Sequence, residues 1–456
     1  MPDQTTPEDH LNDRPANDSP AAGPEESPWV EEFAAPDSDA EPAELNAADR
    51  EEVAAFRASL DSDSAETVSP GQQGEDLAEL AERLKTQRNQ LAVLPPGPGL
   101  PEAIGWTIGV IAVHTIGGVV GLLAIVVSQV MRSLTPETQP TPELVQSVLK
   151  SIPQLLDTYM LELMIVEMGI FFVAAVLATR LRLGSRVAQL IAIKPLATNH
   201  ALLIMAVSIP VALMCGGFHQ ITLGVWNEHL AHLPGMNFFS NLNVNESIKP
   251  LGETAPFGLL LLLVAVAPAI SEEIIFRGVI GRGLIARWGI LPGVILTSIM
   301  FGLVHMHPAH VVALMPLAFL LHLTYLATRS ILAPMLLHFL NNSLAVVLLK
   351  ASTAVPALEG ASEPAMPWYV LLISAAIVGL VAWTLWRSRV EYQTEDGQPW
   401  SPGYTSLEMP PESAGAVLTA AQCPLGLRRG AMGLAGAYSL VFVVSLVLML
   451  TGHISA

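Results

Sequence analysis

Between residues 256 and 349 three groups of polar side chains interrupt otherwise apolar text. The first is Glu272, Glu273 and Arg277, in the run Ser271-Glu272-Glu273-Ile274-Ile275-Phe276-Arg277. On a helix Glu273 and Arg277 are four apart and share a face, so they can pair. Glu272 lies about 100° round the same helix and lacks that partner. One carboxylate is then held ionised by an arginine, while its neighbour is free to act as a base. The competing expectation is a buried ion-pair cluster that only ties helices together. The second group is Phe301 and His305, again four apart, and the third is His338 and Asn342, also on one face. A histidine and an amide pointing the same way could polarise a carbonyl and stabilise an oxyanion.

A general base with electrophilic stabilisers is what hydrolysis of an amide by activated water requires. A zinc ion bound by Glu272, His305 and His338 would make the same water more nucleophilic. The residues accommodate both the metal-assisted and the metal-free route. No His-Glu-x-x-His occurs, so the classical zinc-protease helix is excluded. His305 and His307 are two apart, a poor spacing for chelation from a helix. His307 and His310 are expected to face solvent near a helix end.

These groups need a scaffold, and the composition says what kind. Of 456 residues 51% are apolar and 14% charged, where a soluble protein carries about a quarter charged residues. Mean hydropathy is +0.48. A formal charge of -19 without a basic patch excludes a nucleic-acid binder, and two cysteines are too few for a disulfide framework or zinc-thiolate site. The partners expected are the lipid bilayer and a membrane-associated protein or peptide.

A bilayer core of about 30 Å takes roughly 20 apolar residues per helix. Nine segments qualify or nearly do: 104–131, 160–180, 199–220, 256–280, 289–306, 309–327, 331–349, 367–386 and 432–451. The fold class is therefore an all-α polytopic membrane bundle of eight or nine spans. Residues 1–90 hold 23 of the 41 acidic and 6 of the 22 basic residues. Residues 1–95 are accordingly expected to be a disordered acidic tail, with one helix-prone stretch at Glu75–Gln90. The divisions expected after it are helices in 104–220, a catalytic core at 256–349, and helices in 367–456 around a polar loop, 388–431. With the N-terminus in the cytoplasm, only Arg132, Lys150, Lys249 and Lys350 fall outside, which predicts that orientation in the plasma (inner) membrane.

In order and spacing, Glu-Glu-x-x-x-Arg, Phe-x-x-x-His and His-x-x-x-Asn resemble the CPBP family of intramembrane proteases, the CAAX-processing endopeptidases and bacteriocin-immunity proteins. The surrounding text SEEIIFRG, SIMFGLVH and YLATRSILAPMLLHFLNN is similar as well. The resemblance implies a helical bundle with a cavity open to the cytoplasm and endoproteolysis of membrane-associated substrates. It implies that Glu272 activates water beside His305, that His338 and Asn342 form the oxyanion site, and that Glu273 and Arg277 orient the base. Phe301 enters as an orienting or structural residue. Two other functions use the same residues: an idle scaffold or immunity protein, and a proton-coupled transporter using Glu272 and Glu273. The only other acids near membrane depth are Glu162 and Glu167.

Overall fold

The computed structural model describes residues 97–134, 141–236, 239, 248–354, 366–394, 397–400, 417–420 and 423–451. They fall in one compact unit, Leu91–Ala456. The acidic tail expected over 1–95, with its stretch Glu75–Gln90, lies outside them.

Helix α1 (Leu100–Ser133) starts on Pro101, whose fixed φ suits a first turn. Two short helices, α2 (Pro142–Lys150) and α3 (Ile152–Thr158), lead into α4 (Met160–Leu183). The chain leaves α4 through Gly184 at φ 65° and enters α5 (Thr198–Leu230). Helix α6 (Phe257–Trp288) carries Glu272, Glu273 and Arg277. It is followed by α7 (Ile290–Leu303), α8 (Pro308–Ala313), α9 (Met315–Thr328) and α10 (Leu332–Ala354). Helices α11 (Trp368–Arg387) and α12 (Leu425–Leu450) complete the bundle.

Among the described residues seven helices are long and apolar enough to cross a membrane: α1, α4, α5, α6, α10, α11 and α12. The protein is an all-helical polytopic bundle. Two of the nine expected spans are shorter than the sequence suggests. Helices α7 and α9 have 14 residues each, about 21 Å of rise against a core of about 30 Å. The segment expected to be one span at 309–327 is divided between α8 and α9, with Leu314 between them. The region expected to be a polar loop, 388–431, includes regular structure among its described residues. Strand β1 (Val390–Gln393) pairs antiparallel with β2 (Val417–Ala420), Val390 opposite Ala420, and α12 starts inside that region.

Helices α6 and α7 form a tight antiparallel hairpin because two glycines permit it. Gly289 turns the chain at φ 84°. A Cβ on Gly293 would lie 2.7 Å from both Ile285 Cα and Ile285 N, so the two backbones touch there. The main core runs from Phe171 on α4 and Leu203 on α5 through Phe276 on α6 to Leu321 on α9 and Val381 on α11.

At one end of the bundle Lys194, between α4 and α5, donates to the Tyr392 hydroxyl of β1 at 2.8 Å. Burial, then the Arg329 charge, push the Lys194 amine down to about 8.

Two predictions follow from this packing. Gly293→Ala is expected to destabilise the bundle by about 1–3 kcal/mol, read as a lower thermal midpoint in detergent. Lys194 titrates near 8 when folded and near 10.5 when unfolded, so between those values the unfolded chain binds more protons. Thermal stability should therefore rise from pH 8 towards 10, and Lys194→Met should flatten the rise.

Candidate active site

Helix α6 is irregular where its polar residues sit. Widened π turns at Leu261–Val266 and Ile274–Gly281 flank the α-helical stretch Ala267–Glu273. Such turns shift the side chains that follow them round the axis and occur often at functional sites. Glu273 and Arg277 have no exposed side-chain surface, and Arg277 Nη1 donates to Glu273 Oε1 at 2.9 Å. His338, on α10, brings its Nδ1 to the same oxygen at 2.8 Å. An ionised carboxylate only accepts, so Nδ1 carries the proton and the ring is fixed with Nε2 turned away from Glu273. Arg277 Nη2 donates to the Ala318 carbonyl of α9 at 3.3 Å. One buried ion cluster thus joins α6, α9 and α10.

Phe301 is the packing centre of this cluster. The Arg277 guanidinium lies 4.5 Å from its ring centroid. The rings of Phe276, His305 and His338 lie at 5.4, 5.4 and 5.8 Å. A cation held over an aromatic face out of water is worth up to about 2 kcal/mol.

His305 is not on a helix. Helix α7 ends at Leu303, and the chain turns through Met306 at φ 58°, a conformation that costs a non-glycine residue about 1–3 kcal/mol. His305 Nδ1 donates to the Phe301 carbonyl at 3.1 Å, which closes the end of α7. Its Nε2 is then the basic nitrogen, and the Glu272 charge acts on the ring. The break replaces the continuous span expected over 289–306. His307 and His310, expected in solvent, are buried instead. His307 Nδ1 accepts from Ala309 N–H and caps α8, with its ring against Trp226, and His310 stacks on His219 at 4.7 Å.

Glu272 contrasts with Glu273. It is 8% exposed and no hydrogen bond or ion pair engages it among the described residues, whereas Glu273 is bonded through Oε1; the Oε2 atoms of both are buried without a partner. Asn342 is one turn past His338 on α10. Its Nδ2 donates to the Val264 carbonyl at 2.9 Å, inside the first π turn, and its Oδ1 accepts from Asn341. The structure thus links Glu273, Arg277, Phe301, His305 and His338 in one connected cluster, with His305 joined through Phe301, and ties Asn342 to the helix that carries Glu272. The Ala318 carbonyl, Val264 and Asn341 belong to the same construction and carry no signal in the sequence. Among the described residues no group of three or more His, Cys, Asp or Glu is arranged to hold a metal ion. His305 and His338 are hydrogen-bonded through Nδ1, which leaves Nε2 as the ligating nitrogen of each ring, and no step below runs through a metal.

The family model described as type II CAAX prenyl endopeptidase Rce1-like matches residues 254–344, the stretch that holds all seven of these residues. Over that stretch the sequence is similar to the CPBP family. No curated protein and no solved structure matches the chain. The matched stretch runs from just before α6 into α10, so the residues of the ion cluster lie within it. The matching model describes endopeptidases, and the seven long apolar helices make the protein an integral membrane protein.

Glu273→Ala leaves Arg277 buried and unpaired, so a loss of about 3–5 kcal/mol is expected. A double variant, Glu273→Gln with Arg277→Met, should recover a large part of it, measured by thermal unfolding of both proteins in one detergent.

Proposed function

We propose that the protein is an intramembrane endopeptidase that hydrolyses peptide bonds of membrane-associated protein or peptide substrates, with Glu272 as general base. The observation that carries this reading is the contrast between two adjacent buried carboxylates: Glu273 is held through Oε1 by Arg277 and His338, while no hydrogen bond or ion pair engages Glu272 among the described residues.

The tautomers support a division of labour. His305 donates through Nδ1, so its Nε2 accepts, and so does the Glu272 carboxylate. Two acceptors can take the two protons of one water and aim its lone pair at a carbonyl carbon. Stabilising the oxyanion needs donors. Asn342 spends one N–H on Val264 and keeps the other. His338, held by Glu273, supplies Nε2–H when it is the imidazolium. Glu273 and Arg277 orient His338 and set the charge around it, and Phe301 fixes the guanidinium.

In this reading 256–349 is the catalytic core, helices in 104–220 and 367–456 enclose it, and the N-terminus faces the cytoplasm across the plasma (inner) membrane. The Lys/Arg distribution supports that orientation.

Cleavage of a broad peptide library by purified protein in detergent tests the proposal. Glu272→Gln is expected to abolish cleavage, a loss of at least about 100-fold, with an unchanged thermal midpoint. Wild-type turnover in that variant would sink the mechanism, and a chelator lane reports any metal requirement.

A further inference from the structure

A cavity of about 390 Å³ opens between α1 and α4, and none of the seven motif residues lines it. Glycines on α1 show how the two helices part. A Cβ on Gly117 would lie 3.1 Å from Glu167 Cα, so the backbones touch there. One on Gly121 would meet Leu163 Cδ1 at 2.6 Å. About two and three turns earlier, at Gly109 and Gly105, an added Cβ meets no atom within 4 Å. The helices therefore form a wedge. Val113 and Phe171 line its closed end, and its walls include Gly105, Gly109, Ala174 and Ala178.

The open end carries charge. Glu102 stands in the first turn of α1, Arg182 in the last turn of α4 and Arg287 in the last turn of α6. Arg182 Nε and Nη2 donate to the two oxygens of Glu102 at 2.7 and 3.3 Å. Trp106 Nε1 donates to Glu102 Oε1 at 3.3 Å, and Arg287 Nη1 donates to the Gly97 and Pro98 carbonyls that lead into α1. Both oxygens of Glu102 are thus engaged within the protein, whereas Arg182 Nη1 makes no hydrogen bond among the described residues. Arg182 is 41% exposed, so an outside group can reach it. Two guanidinium groups against one carboxylate leave the rim with an excess positive charge, and their planar donors match phosphate oxygens.

The depth of the crevice names its occupant. From Glu102 to Val113 helix α1 rises about 16 Å, half of a hydrocarbon core of about 30 Å. The crevice is as deep as one leaflet, with a polar rim at the headgroups and a floor near the midplane. Trp106, one turn in from Glu102, occupies the level where indoles favour the membrane interface. We propose that the crevice holds one acyl chain of an anionic phospholipid from the leaflet at the Glu102 end, with its phosphate on Arg182 and Arg287. A zwitterionic headgroup gains less, because its cation would need a carboxylate that Arg182 already holds. Basic pockets between membrane helices select anionic headgroups by the same balance of charge. The site does not rest on the hydrolytic reading above.

Trp106 lines the crevice and is its reporter, since a brominated acyl chain quenches a nearby indole. The full-length protein is placed in phosphatidylcholine vesicles, and brominated phosphatidylglycerol or brominated phosphatidylcholine replaces part of the lipid. The signal read is the fluorescence that Trp106→Phe removes. Half-quenching is expected at a mole fraction about 5-fold lower for phosphatidylglycerol, the contribution of one excess arginine at a membrane surface. High salt should narrow that gap. Gly109→Leu starts from a Cβ that meets nothing and fills the crevice, so it should abolish the preference at an unchanged thermal midpoint. Equal quenching by the two lipids would mean ordinary boundary lipid and overturn the site. A preference that survives in Gly109→Leu would overturn it too. Displacement of the brominated phosphatidylglycerol by an equal mole fraction of a prenylated peptide would reassign the crevice to a substrate's anchor. A second measurement needs no reporter: phosphatidylglycerol added in detergent should raise the thermal midpoint of the wild type and not of Gly109→Leu. Equal shifts in the two proteins would refute the site.

Discussion

A charge that cannot leave the membrane interior governs this structure. Arg277 is fully buried, and its stability depends on Glu273 one turn earlier and on an aromatic face beneath it. Removing either partner of a buried ion pair is far worse than never having built it. The cluster therefore fixes the relative positions of α6, α9 and α10 and of the Phe301 end of α7. Because His338 shares the same carboxylate oxygen, the group that holds the fold together also fixes an imidazole. Structure and chemistry are not separable at Glu273.

The two π turns of α6 serve the same arrangement. A regular helix from Phe257 to Trp288 would keep all its carbonyls for its own ladder. The widened turn at Leu261–Val266 includes the Val264 carbonyl that accepts from Asn342, so α10 is anchored both before the acidic pair and, through His338, at Glu273 itself. Asn341, hydrogen-bonded to Asn342, supports that anchor from the same helix.

What the sequence reveals follows the range of the interaction. The long spans are legible because about 20 apolar residues in a row have few other uses. The Glu273–Arg277 pair is legible because i,i+4 geometry is local. The contact of His338 with Glu273 spans 65 positions and depends on how two helices cross, which no spacing encodes. For the same reason the shared face of His338 and Asn342 is correct as a helical wheel, yet their side chains take different partners. The break after Leu303 carries no glycine or proline until Pro308, so continuous apolar text hides it. His307 and His310 look like surface residues until a capping bond and an aromatic stack bury them.

The brevity of α7 has a consequence for the surrounding lipid. Leu291, Ile295, Ile299 and Leu303 form its outward stripe, each at least 37% exposed. From first to last the stripe rises about 18 Å, well short of a hydrocarbon layer of about 30 Å. Acyl chains beside it must compress or tilt to meet an apolar surface that stops just before His305. Thinning of the bilayer, snorkelling of flanking side chains and association with another apolar surface are the ways to meet so short a stripe. Where the bilayer thins, water comes closer to the end of α7 than it would beside a full-length helix. Lipid chain length thereby becomes a variable of the protein, setting the elastic cost of that mismatch.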